Sequence, residues 1–84
     1  MSYTVVFKPS AENDFEKLPP QVQERIGASL ASLESTPRPA GCKKLKAREG
    51  YRVRVGDYRI VYSIDDRASV VRILAIGHRK EIYQ

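Results

Sequence analysis

The stretch that most constrains this chain is Tyr51 to Tyr62, which reads YRVRVGDYRIVY. Two runs of β-favouring residues, VRV and YRIVY, meet at Gly56-Asp57. Glycine at the first central position of a two-residue connection marks a II′ hairpin turn, whose twist suits the strands it joins. A two-residue turn there sets the register: Val55 opposite Tyr58, Arg54 opposite Arg59, Val53 opposite Ile60 and Arg52 opposite Val61. Side chains alternate along a strand. One face therefore carries Val53, Val55, Tyr58 and Ile60, and the other carries Arg52, Arg54 and Arg59. Like charges directly across an antiparallel pair destabilise it by up to about 1 kcal/mol. A face that served only solubility would mix in acids. Three guanidiniums on a stiff hairpin suit an anion, and their planar forks match a phosphate. The plainer reading is a solvated outer face.

The distribution of charge favours the anion. The net charge is +5. Residues 1–42 hold four Lys/Arg against five Asp/Glu, whereas residues 43–84 hold eleven against five. The basic excess lies wholly in the half that contains the hairpin, which points to a polyanion, nucleic acid first, or to an acidic protein. A membrane surface fits less well, because the basic half reads as strands and not as an amphipathic helix. No run approaches the roughly 20 apolar residues a membrane span needs, and Met1-Ser2-Tyr3 begins no secretory leader. The single cysteine, Cys42, forms no internal disulfide and reads as a loop thiol without a role, which fits a reducing cytoplasm. At 84 residues the chain is expected to be one domain, residues 1–84, with one core and one sheet.

In chain order, Tyr3 to Lys8 is a short β run stopped by Pro9. Ser10 is a suitable N-cap, and Ala11, Phe15 and Leu18 recur at helical spacing, which predicts a first helix over roughly 10–18. After Pro19, Pro20 suits the first turn of a second helix. Its stripe is Val22, Ile26, Leu30 and Leu33, its wet face includes Gln23, Glu24, Arg25 and Glu34, and it runs to about Ser35. Gly27 inside it costs about 1 kcal/mol relative to alanine; close approach to the other helix would explain it. A proline-rich connector (Thr36 to Gly41) leads to KKLKAR at Lys43 to Arg48, an edge strand or a loose basic loop. After the hairpin, Ser69 to Gly77 is almost continuously apolar, as a central strand covered on both sides would be. Arg72 interrupts it, near a strand end or reaching to water. The expected fold is α+β: two N-terminal helices packed on one face of a small, mostly antiparallel sheet. The helices then cover the apolar hairpin face and leave the arginine face open.

One histidine and one cysteine, far apart, make no zinc site, so no metal or cofactor is expected. There is no phosphate loop, dinucleotide fingerprint or Ser/His/Asp set. Arginine, lysine, tyrosine and His78 remain, and these suit phosphodiester recognition and stabilisation of a phosphorane-like transition state.

The order YRVRVGDYRIVY, an apolar strand, then IGHRKEIY resembles the RelE/ParE toxin superfamily of bacterial toxin–antitoxin pairs. The Gly-His-Arg ending followed by a tyrosine is similar to the RelE branch. The resemblance spans nearly the whole chain, since the first strand, the helices and KLKA fit in order. It implies a ribosome-dependent endoribonuclease that cuts messenger RNA in the decoding site, where the ribose 2′-OH attacks the adjacent phosphate. It also implies a cognate antitoxin that blocks or distorts the basic site, with the ribosome and mRNA as further partners. The family's basic hairpin pair, commonly lysines, falls on Arg52 and Arg54, and its following arginine on Arg59. Its C-terminal arginine and tyrosine fall on Arg79 and Tyr83. Lysine can lose a proton but arginine cannot, so these arginines bind and neutralise the phosphate, and proton transfer passes to Tyr83 or to His78 as candidate general base. By strand parity His78 also reads as a packing residue. Lys43, Lys44, Lys46 and Arg48 read as RNA-backbone contacts, and Tyr51, Tyr58 and Tyr62 as sheet packing. Longer members carry a C-terminal helix for which a chain ending at Gln84 leaves no residues. The competing readings are a ParE-like DNA-gyrase inhibitor and a catalytically inactive RNA- or partner-binding relative.

Overall fold

A computed structural model of the chain describes residues 2–46 and 48–78. Its elements are β1 (Thr4–Phe7), α1 (Pro9–Glu16), α2 (Pro20–Leu33), β2 (Lys43–Lys44), β3 (Tyr51–Val55), β4 (Tyr58–Asp65) and β5 (Val70–His78). The strands form one five-stranded sheet in the order β1-β5-β4-β3-β2. Every pair is antiparallel except β1 with β5, which run parallel, so the sheet is mixed at one edge.

Prolines place both helix starts. A residue before proline is pushed to extended backbone, and Lys8 (φ −64, ψ 143) and Pro19 (φ −57, ψ 148) are both extended, each followed by a proline in the first helical turn. Proline fits there because its missing N–H has no intrahelical partner anyway. α1 thus begins at Pro9 with Lys8 as N-cap, and Ser10, expected to cap it, lies inside the helix. α1 ends at Glu16, short of Leu18. Gln23, expected only to face water, donates from Nε2 to the carbonyls of Phe15 (3.0 Å) and Glu16 (3.3 Å). It satisfies the last turn of α1, whose carbonyls have no helical donor.

The helices lie on one face of the sheet. Ala11, Ile26, Leu30 and Leu33 pack with Ile60, Tyr62, Val71, Ile73 and Ile76 in one buried cluster, flanked by Phe15, Leu18, Val22, Val53, Val55 and Tyr58. Each fully buried Ile or Leu contributes about 1.5–3 kcal/mol relative to exposure. No close approach explains Gly27: a methyl group there would meet nothing within 4 Å.

β5 is a central strand, but only one of its faces is covered by the helices. Val71, Ile73 and Ile76 point into the core while Arg72, between them, is exposed. The ladder pairs Val61 with Ala75 and Tyr62 with Ile73, leaving Leu74 as an extra residue. This bulge shifts the alternation by one, so Ile73 and Ile76 both face inward. The extra residue, with Val70 and Ala75 on the outer face, makes the strand read as almost continuously apolar. No helix among the described residues is long and apolar enough to cross a membrane.

Candidate nucleic-acid interface

The hairpin has the expected register, pair for pair: Val55 with Tyr58, Arg54 with Arg59, Val53 with Ile60 and Arg52 with Val61. Gly56 has φ +62, whereas Asp57 has no positive φ, which is the II′ pattern. Since Val53, Val55, Tyr58 and Ile60 pack towards the helices, Arg52, Arg54 and Arg59 project from the opposite face. Arg54 is exposed; Arg52 and Arg59 are half-buried, and the Nε of Arg59 is shielded from water. Lys43 pairs with Arg52 and so joins this face. Lys44 pairs with Tyr51 and leaves by the other. β2 is limited to these two residues, and Lys46 and Arg48 are exposed in the connector that follows.

At the centre of the basic face lies Val61, 1% exposed and outside the helix-side core. The arginine face therefore has an apolar middle and a cationic rim. One cation approaches the hairpin tip from the helix side. The guanidinium nitrogens of Arg25 lie 2.9 and 3.2 Å from where a Cβ on Gly56 would sit. Helical spacing puts Arg25 on the wet face of α2, and no local signal links it to a turn so far along the chain.

His78 pairs with Tyr58, and their rings meet edge to face with centroids 5.5 Å apart. Tyr58 packs against the core, so His78 belongs to the helix side of the sheet. Arg59, one residue on, pairs with Gly77 on the other side. The structure thus assembles Arg52, Arg54, Arg59 and Lys43 and separates His78 from them. Arg79 and Tyr83 lie outside the described residues.

A different arginine arrangement occupies the far end of β4. Arg38 Nη1 and Nη2 donate to Asp66 Oδ1 (3.3 Å) and Oδ2 (2.9 Å), and its Nε donates to Tyr51 Oη (3.2 Å). Tyr3 Oη donates to Asp66 Oδ1 at 2.7 Å. These bonds hold the Asp66 carboxyl below its usual range, Arg38 first and Tyr3 second, while the bond to Asp66 raises the Tyr3 hydroxyl. Beneath, Tyr62 stacks with Tyr51 (centroids 6.0 Å apart) and donates to the Pro37 carbonyl at 2.8 Å. Burial, then the nearby Cys42, pushes the Tyr62 hydroxyl well above its ordinary value. The three tyrosines expected to pack the sheet do so.

A small mixed sheet with helices on one face and clustered guanidiniums on the other defines a compact basic domain. Sequence comparison gives the class its name. The family described as ParE toxin of type II toxin-antitoxin system, parDE, matches residues 5–83. Toxin RelG of Mycobacterium tuberculosis is 35% identical, over 100% of this chain and 99% of the relative. The mRNA interferase toxin RelE of Escherichia coli (strain K12) is 28% identical, over 99% and 92% respectively. In three dimensions the chain is similar to one in the RelBE2 toxin–antitoxin complex of Mycobacterium tuberculosis, with a TM-score of 0.82 and 35% identity over 94% of this chain and 93% of that one. The chain belongs to the RelE/ParE family of toxins of type II toxin–antitoxin systems.

Proposed function

We propose that this toxin is a ribosome-dependent endoribonuclease that cleaves messenger RNA in the decoding site and so stops translation. The carrying observation is the grouping of Arg52, Arg54 and Arg59 on the sheet face turned away from the helices. In the reaction, the ribose 2′-oxygen loses its proton and forms a bond to the adjacent phosphorus. The P–O5′ bond breaks, the 5′-oxygen takes a proton, and the products carry a 2′,3′-cyclic phosphate and a 5′-hydroxyl. Only RNA has the attacking hydroxyl.

Negative charge grows on the phosphoryl oxygens in the transition state, and preorganised guanidiniums stabilise it there. Arg54 and Arg59 act at the phosphate itself together with Arg52 and Arg79, and Lys43, with Lys46 and Arg48 of the connector after β2, holds the flanking backbone. None of the arginines removes the 2′-proton, because none can deprotonate. The placement of His78 on the helix side supports giving that proton to Tyr83. The name of the 28% identical relative, an mRNA interferase, supports the same reading.

The antitoxin is proposed as the partner that covers the basic face, as the complex containing the 35% identical neighbour suggests. Primer extension on a reporter mRNA, with and without ribosomes, tests the reaction. Cuts at defined codon positions that need ribosomes are expected, and intact message in both arms would refute it. The description of the matching family as a ParE toxin favours one second reading, inhibition of DNA gyrase. A supercoiling assay with purified gyrase separates the two, since the nuclease leaves gyrase active.

A further inference from the structure

The basic face continues beyond the hairpin onto β5. Arg72 pairs with Ser63 of β4 on one side and with Val6 of β1 on the other, and both of its strand neighbours, Val71 and Ile73, are buried in the core. Its side chain therefore stands on the same face as Arg54 and Arg59, where it is exposed. It takes part in no ion pair among the described residues. Ser63, the partner of Arg72, lies four positions beyond Arg59, which places Arg72 about 13 Å further along the sheet. Between them on this face lie Val61, Ser63, Ala75 and Gly77. None of them is an acid; Val61 is buried, and Ser63, Ala75 and Gly77 are half-buried.

Acids mark where the track stops. An open hollow of about 560 Å³ is lined by Arg72 itself together with Glu49, Asp65, Asp66 and Arg67. Asp66 is already held by Arg38 and Tyr3, and Asp65 accepts the Ala68 N–H at 3.0 Å. A polyanion crossing from Arg59 meets Arg72 before it reaches the acids of the β4–β5 turn.

We propose that Arg72 is a substrate-binding residue that grips an RNA phosphate flanking the one held by Arg54 and Arg59. The inference rests on the ribonuclease reading above. The phosphate belongs to the message or to ribosomal RNA, and the experiment distinguishes them. Binding is measured to ribosomes programmed with a message made uncleavable by a 2′-deoxy sugar at the cut site, at several salt concentrations. A series of messages carries one neutral methylphosphonate each at successive flanking linkages.

Arg72→Ala is expected to lower the salt slope by about 0.7, the share of one single-strand phosphate contact, with an unchanged melting temperature. Arg72→Lys keeps the slope. If the phosphate is in the message, one flanking methylphosphonate weakens wild-type binding and has no further effect on Arg72→Ala. If it is ribosomal, no methylphosphonate discriminates the two while the slope still falls. Unchanged slope and affinity in Arg72→Ala overturn the proposal, and so does a loss confined to antitoxin binding, which would make Arg72 part of a protein interface. A wild-type protein that binds no programmed ribosomes removes the ribonuclease reading and this inference together, an outcome distinct from a silent Arg72.

Discussion

At the turn end of the β3–β4 hairpin, Arg54 faces Arg59, and the sheet puts no acid between them. At the other end of β4, Arg38 grips both oxygens of Asp66, and Tyr3 and Tyr51 complete its surroundings. The same residue type is put to opposite uses. At the far end, cation and carboxylate neutralise one another and tie the α2–β2 connector, β1 and the β4–β5 turn together. At the hairpin, like charges are held side by side by a rigid turn and by packing on the reverse face. An arginine whose charge is answered inside the fold holds the fold. The hairpin arginines, on the face turned away from the helices, are the ones proposed to meet a ligand.

The largest effect expected from this contrast is on activity. Arg59→Ala lowers ribosome-bound mRNA cleavage by about 10²–10³-fold while its thermal melting stays within that of wild type, measured by circular dichroism. Next comes stability at the compensated end. A Cβ on Gly50 (φ +131) would lie 2.8 Å from the Tyr62 carbonyl oxygen, so Gly50→Ala destabilises by about 1–3 kcal/mol, read by denaturant titration.

Smaller again is the clasp itself. Both of its charged side chains are about half exposed, and such surface pairs add little to stability. Asp66→Asn therefore costs little at neutral pH and leaves cleavage unchanged. The Asp66 carboxyl titrates lower in the folded state than in the unfolded chain. Its contribution is present above the ordinary carboxylate range and is lost as pH falls through the folded value. The stability gap between wild type and Asp66→Asn therefore closes in acid. Tyr62 is the reverse case: its hydroxyl titrates higher when folded, so its contribution holds below pH about 10 and is lost as pH rises further. Tyr62→Phe removes that alkaline loss. The smallest effect is at Gly27, where a methyl group meets open space. Gly27→Ala stabilises by about 0.4–1 kcal/mol with activity untouched.

The hairpin was legible residue by residue because its code is local: a II′ glycine, strict alternation and a two-residue turn leave one register. The helix stripes were legible for the same reason, as Ile26, Leu30 and Leu33 are buried where the spacing put them. What escaped was set by distant partners. The parallel pairing of β1 with β5 has no signature in either strand. The Leu74 bulge depends on how β4 and β5 settle against each other, and it disguised a one-sided strand as a doubly covered one. Arg25 at the Gly56 turn and Arg38 on Asp66 are contacts between segments far apart in sequence. At Pro9 a local signal was present but outweighed, because a proline can open a helix as well as close a strand.

The most direct test is single-turnover cleavage of ribosome-bound message by three proteins of matched melting temperature: wild type, Arg54→Ala/Arg59→Ala and Asp66→Asn. Cleavage lost in the hairpin variant and kept in the clasp variant is the predicted result. Wild-type cleavage by the folded Arg54→Ala/Arg59→Ala protein would contradict it.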